Sequence, residues 1–179
     1  MTDHREGEII EQVKAGEVNA FEELVRKYER PLLVLARNFL GRTPGAEDLV
    51  QDVFLAAYLN IGSYHPAKGG FATWLFRIAR NKCLNWVKKK REIAMEEPPE
   101  PVARDNPETD LIVKEAFARL DRALEDLPAR DKMIFILAEF QGLSLEEIAT
   151  VEGMNVGAVK SRLFRVRKRV RATLEDSAS

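Results

Sequence analysis

The sequence predicts an all-α protein of two small helical domains joined by an acidic linker containing prolines, the second domain holding a helix-turn-helix. Three observations carry this prediction. Apolar residues recur at helical spacing, and no stretch of alternating polarity reads as a strand. Residues 92–110 gather seven acids, one Arg and four prolines among few apolar side chains, the composition of an extended, self-repelling tether. Near the C-terminus, two helix-start signals flank a glycine turn. The expected division is a first domain at 1–92, a linker at 93–110 and a second domain at 111–179.

The first domain reads as four helices. One spans about Glu6 to Ala15 and ends at Gly16. Asn19 is a candidate cap for a second helix carrying Phe21, Leu24, Val25 and Tyr28, with Pro31 at a break or a fresh start. Leu32 to Leu40 continues helically to Gly41. The helix from about Ala46 to Asn60 puts Ala46, Leu49, Val50, Val53, Phe54 and Ala57 on one stripe. Residues 61–70, IGSYHPAKGG, hold three glycines and a proline and are expected to be irregular. Phe71 to Arg91 then forms a long amphipathic helix, with Trp74, Leu75 and Ile78 on or near its inner stripe. Cys83 on that helix is expected to be a small core residue rather than a redox switch.

In the second domain, Val113, Phe117, Leu120, Leu124 and Leu127 form one stripe. Pro128 restarts the chain, and Met133 to Phe140 is a short apolar helix ended by Gly142. Ser144 with Glu147 three residues on is a capping box for a helix over Leu145–Val151. Gly153 permits a sharp turn. Asn155 is the next N-cap, and Met154 with Val159 fits a hydrophobic staple. In the last helix Val159, Leu163, Val166 and Val170 point inward. Gly157, Ser161, Phe164, Arg165 and Lys168 point outward, flanked by Lys160 and Arg162. Such a helix suits the major groove: its first turns approach base edges, Gly157 allows close backbone approach, and the cations hold phosphates. A helical hairpin with a solvated basic face is the plainer alternative. Phe164 fits either a thymine methyl or a protein contact on the outer face, or packing against the preceding helix.

Composition narrows the class further. Of 179 residues, 45% are apolar, enough for a real core, and the net charge is −1. That balance hides segregation, since residues 71–91 and 153–174 each hold seven Lys or Arg and no acid. A nearly neutral chain sorted this way can grip a polyanion at two places. No apolar run is long enough for a membrane span, and the polar, acidic N-terminus does not read as a signal peptide, so a cytoplasmic location is expected. One cysteine and two distant histidines, His4 and His65, make no metal-ligand set. No nucleophile–base pair or phosphate-binding glycine loop is present, so neither enzymatic activity nor a cofactor is expected.

Residues 127–170, from LPARDK through GAVKSRLFRVRKRV, resemble region 4 of the extracytoplasmic-function (ECF) sigma factors. AFEELVRKY (20–28), AEDLVQDVFLAAY (46–58) and FATWLFRIARNKCLNWVKKKR (71–91) resemble their region 2. The resemblance covers both domains in the right order. It implies a protein that binds core RNA polymerase, directs it to promoter DNA and helps open the duplex, catalysing no bond chemistry itself. Region 4 would read the minus-thirty-five element as duplex, through Asn155, Gly157, Lys160, Ser161, Arg162, Arg165 and Lys168. Region 2 would read the minus-ten element as partly unpaired strand.

The residues of the first domain fit those roles. Asp48, Gln51, Asp52 and Leu55 lie opposite the core stripe of the helix at 46–60. An acidic face with one exposed leucine can dock a basic partner helix, which by resemblance is the coiled coil of the largest polymerase subunit. A plain solvated acidic face is the alternative. Aromatics interleaved with cations on 71–91 could stack unpaired bases, but most of these aromatics are expected in the core. The expected single-strand contacts are Ser63, Tyr64, His65 and Lys68 in the loop and Arg80, Asn81, Asn85 and Lys88 on the helix. In the family that loop forms a pocket for an extruded base. Many relatives carry Asp where this chain has Asn85 and Arg where it has Lys88, which bears on promoter preference. By resemblance the linker lies along the path of nascent RNA, and an anti-sigma factor is an expected partner. No sensory domain is expected after region 4. A stand-alone helix-turn-helix regulator would leave the acidic face and the glycine-rich loop without a purpose. A relative that only titrates an inhibitor is a further alternative.

Overall fold

A computed structural model describes residues 2–41, 43–94 and 111–176, which form eight α-helices and no strand. The helices are α1 (Thr2–Lys14), α2 (Phe21–Leu40), α3 (Ala46–Leu59), α4 (Phe71–Ala94), α5 (Leu111–Glu125), α6 (Ala129–Glu139), α7 (Leu145–Glu152) and α8 (Val156–Asp176). Helices α1–α4 build one bundle, in which α2 packs on α3 and α3 on α4. Helices α5–α8 build the second, with α8 against α5, α6 and α7. The acidic segment 95–110 lies outside the described residues.

The α3 stripe is as the spacing predicts: Ala46, Leu49, Val50, Val53, Phe54 and Ala57 are all buried. Three expectations for α1 and α2 differ. Helix α1 begins at Thr2 rather than near Glu6. Its first turns are tied to α2, where Glu6 accepts from Tyr28 (2.6 Å) and Lys27 (2.9 Å). Asn19 does not cap α2. The chain enters that helix through a 3-10 turn at Val18–Ala20, and Ala20 is already right-handed helical with no side-chain cap. An N-cap needs an extended residue before the first turn, and the 3-10 turn removes it.

Pro31 neither breaks nor restarts α2, which runs unbroken from Phe21 to Leu40. An interior proline costs about 3 kcal/mol. Leu24, Tyr28, Leu32, Leu35, Ala36 and Phe39 continue one buried stripe across it. Each large side chain contributes roughly 1.5–3 kcal/mol on burial, so tertiary packing outweighs the local cost.

In the second bundle α6 starts at Ala129, directly after Pro128 and before the expected Met133. The caps around the turn are formed as read. Ser144 Oγ accepts from the Glu147 N–H (3.1 Å), and the Glu147 carboxylate accepts from the Ser144 N–H (2.8 Å). Gly153 is left-handed at φ 64°, and Asn155 Oδ1 accepts from the Ala158 N–H at 2.7 Å. With only eight residues, α7 is far too short to be stable alone and leans on these caps and on buried Ile148 and Val151. Ser144→Ala should therefore cost about 1 kcal/mol of unfolding free energy, measured by urea denaturation, with little change in the m-value.

Candidate nucleic-acid interface

Helix α8 divides cleanly. Val159, Leu163, Val166 and Val170 are buried, while Asn155, Gly157, Lys160, Ser161, Arg165 and Lys168 are exposed. Phe164 is 71% exposed, which selects the outward orientation over packing on the preceding helix. Arg162 behaves differently from its neighbours. It is only partly exposed and donates to Asp131 at the start of α6 (2.6 Å), so its guanidinium already braces the domain.

On α4 the inner face is Phe71, Leu75, Phe76, Ala79 and Cys83, all buried. Asn81, Asn85 and Lys88 are exposed, as are Ser63, His65 and Lys68 in the preceding loop. The loop is not fully irregular: two 3-10 turns, Ile61–Ser63 and Pro66–Lys68, shape it. Tyr64, an expected single-strand contact, is not on the surface. It is buried, with its ring edge-on to Phe71 (5.4 Å) and tilted against Trp74 (5.7 Å). Tyr64 is the extended residue after the first turn, and its side chain joins buried Ile61 in the core. Trp74, expected to be buried, is half-buried and lines two adjoining hollows. One, of about 310 Å³, adds Asn81 and Asn85. The other, of about 250 Å³, adds Ser63, His65 and Lys68. Arg77 is exposed and lines both. It is one of the cations interleaved with aromatics on this helix but is not among the expected single-strand contacts, although it lies one turn from Asn81.

Arg80 also departs from expectation. It is not free on the surface but pairs with Glu152 of α7. On α3, Asp48, Gln51, Asp52 and Leu55 are exposed, Leu55 at 57%. Asp52 stands 3.9 Å from Lys82, a screened surface contact.

Two family models match the chain: Sigma-70 region 2 over residues 24–93 and Sigma-70 region 4 over 117–170. The RNA polymerase sigma-H factor of Pseudomonas aeruginosa is 31% identical, with 98% of this chain and 96% of that protein covered. The ECF RNA polymerase sigma factor SigW of Bacillus subtilis is 32% identical over 93% of this chain and 95% of that protein. The chain belongs to the ECF sigma factors of bacterial RNA polymerase. Its function is thus that of a promoter-specificity factor in transcription initiation. Among solved structures, CnrH in complex with the cytosolic domain of CnrY matches this sigma factor with a TM-score of 0.72 and 29% identity over 96% of this chain and 97% of that one. The sigma factor RpoE bound to the anti-sigma factor NepR, from Bartonella quintana, matches with a TM-score of 0.75 and 26% identity over 88% and 98%.

Among the described residues, no group of His, Cys, Asp and Glu could hold a metal and no helix could cross a membrane. Burial pushes the Cys83 thiol up to about 12 from an ordinary value of 9.0. The folded protein therefore keeps the proton that the unfolded chain releases above pH 9, so this group's stabilisation falls as pH rises from about 9 towards 12. At pH 8, native Cys83 should resist Ellman's reagent, and labelling should appear only on unfolding.

Proposed function

We propose that the two bundles of this ECF sigma factor grip promoter DNA in different forms. The solvent-facing side of α8 carries the proposal: Gly157, Lys160, Ser161, Arg165 and Lys168 stand exposed just beyond a satisfied cap. Asn155 anchors that first turn, Lys160 and Lys168 hold phosphates, and Ser161 and Arg165 reach base edges of the minus-thirty-five duplex. Arg162 acts mainly as a brace.

The single-strand grip uses Ser63, His65, Lys68, Asn81, Asn85 and Lys88, with Arg77 added and Arg80 available once its partner leaves. The two hollows beside Trp74 support this assignment, since unpaired bases need a concave surface with an aromatic wall and cations along the backbone. Tyr64 supports Trp74 from behind. Asp48, Gln51, Asp52 and Leu55 dock core polymerase, for which an exposed acidic face around an apolar residue is suited. The protein catalyses no bond chemistry and works in the cytoplasm alongside polymerase. The resemblance to CnrH and RpoE, both solved with a bound partner, supports an anti-sigma factor as a further partner.

Two measurements test these roles. Asp48→Lys with Asp52→Lys should weaken binding to core polymerase on the order of tenfold while leaving the thermal unfolding profile unchanged. Specific, tight duplex binding by the free chain, with no gain from core polymerase, would point to a stand-alone regulator instead. In holoenzyme, Arg165→Ala should cost about 1–3 kcal/mol at one promoter position. An equal loss on every sequence would reduce Arg165 to a phosphate contact.

A further inference from the structure

The two bundles are in contact: α7 packs along α4, and α6 along α2. The centre of the first contact is Glu152, whose carboxylate is wholly buried. It accepts from Arg80 through both oxygens, at 3.3 Å from Nε and 3.2 Å from Nη2. Arg130, from α6, adds a third contact at 3.1 Å. Arg80 Nη1 is taken up by Asn81 Oδ1 at 3.1 Å. A buried carboxylate is tolerated only when paired, and here one partner comes from each bundle. Two residues before Glu152, Thr150 closes the side of the 250 Å³ hollow that also contains Ser63, His65 and Lys68. A second tie lies on α2, where Gln141 donates to the Pro31 carbonyl at 3.1 Å. Lys132, also buried, stands over the Phe39 ring at 5.9 Å.

We propose that the free chain covers its own single-strand face, with Glu152 of the helix-turn-helix bundle occupying Arg80 where a DNA phosphate would bind. A carboxylate paired with a guanidinium through two hydrogen bonds takes the geometry a phosphate would take. Glu152 and the strand therefore compete for Arg80, and Thr150 narrows the adjoining hollow. The covering is one-sided, because Lys160, Ser161, Arg165 and Lys168 remain exposed in the closed form. The closed chain keeps its duplex grip open and its single-strand grip shut, and opening is coupled to whatever separates α7 from α4. This rests on the single-strand assignment made above.

Glu152 gives the test, because it closes the contact without belonging to the DNA-contacting set. The intact chain, Glu152→Gln and Arg130→Ala are compared by small-angle X-ray scattering. Each is also titrated with a fluorescein-labelled single strand carrying the minus-ten sequence selected with holoenzyme, and Glu152→Gln is titrated again as holoenzyme. The latch requires Glu152→Gln to expand the free chain and tighten strand binding roughly threefold or more, while its holoenzyme binds the strand as wild type does. Simple loss of a negative charge would tighten binding equally in holoenzyme. Arg130 lies in the same bundle as Glu152, so Arg130→Ala leaves Glu152 more dependent on Arg80, and that chain should stay as compact as wild type with no gain in strand binding. Thermal melting separates these effects from loss of the α7–α8 fold. A Glu152→Gln chain as compact as wild type with no gain in strand binding would overturn the proposal, as would an equal gain in holoenzyme or an expanded Arg130→Ala chain. If wild-type holoenzyme does not retain the strand, the single-strand assignment fails and the covering role with it, whereas scattering still reports whether Glu152 closes the chain.

Discussion

Burial of one face of α4 is the constraint on which the rest of the molecule depends. Phe71, Leu75, Phe76, Ala79 and Cys83 give α2 and α3 a common wall. Because those residues must point inward, helical geometry sends Arg77, Asn81, Asn85 and Lys88 outward. The same helix thus closes a core and presents a basic, polar surface. Residues 71–91 hold no acid, so that surface carries a single sign of charge along its length. The third side of α4, with Arg80, meets α7.

The second bundle solves a different problem. Its last helix, α8, is rich in like charges, which repel one another and gain nothing from folding. Local devices and apolar burial offset this. The capping box at Ser144, the left-handed Gly153 and the Asn155 cap set the angle between α7 and α8. Val159, Leu163, Val166 and Val170 then hold α8 in place. Arg162–Asp131 and Arg167–Glu139 place acids of α6 against two cations of α8, lowering that repulsion and sparing Arg165 and Lys168 for the outer face. A cation on a basic helix is therefore not automatically a DNA contact; its neighbours in space decide.

The joining of the bundles has the same logic at larger scale. The buried Glu152 keeps Arg130 within its own bundle but has Arg80 as a partner only while the bundles touch. Buried ion pairs add little net stability over apolar packing, yet breaking one by removing a partner is costly. Such a contact makes the bundle interface specific and leaves it open to competition by another anion.

Much of this was legible in the sequence by itself: the all-helical class, the α3 stripe, the caps around Gly153, the segregated basic blocks and the motifs of the sigma family. Each depends on residues within a few turns of one another, where spacing alone fixes which side chains share a face. Tertiary structure decided the rest. It carried α2 through Pro31, because distant apolar partners outweigh a local penalty. It entered α2 by a 3-10 turn that made the Asn19 cap redundant, and it turned Tyr64 from the surface to the core. It took Arg162 and Arg80 into ion pairs with Asp131 and Glu152. Arg80 and Glu152 are 72 residues apart, and no periodicity in the chain links positions that only the packing of two bundles brings together.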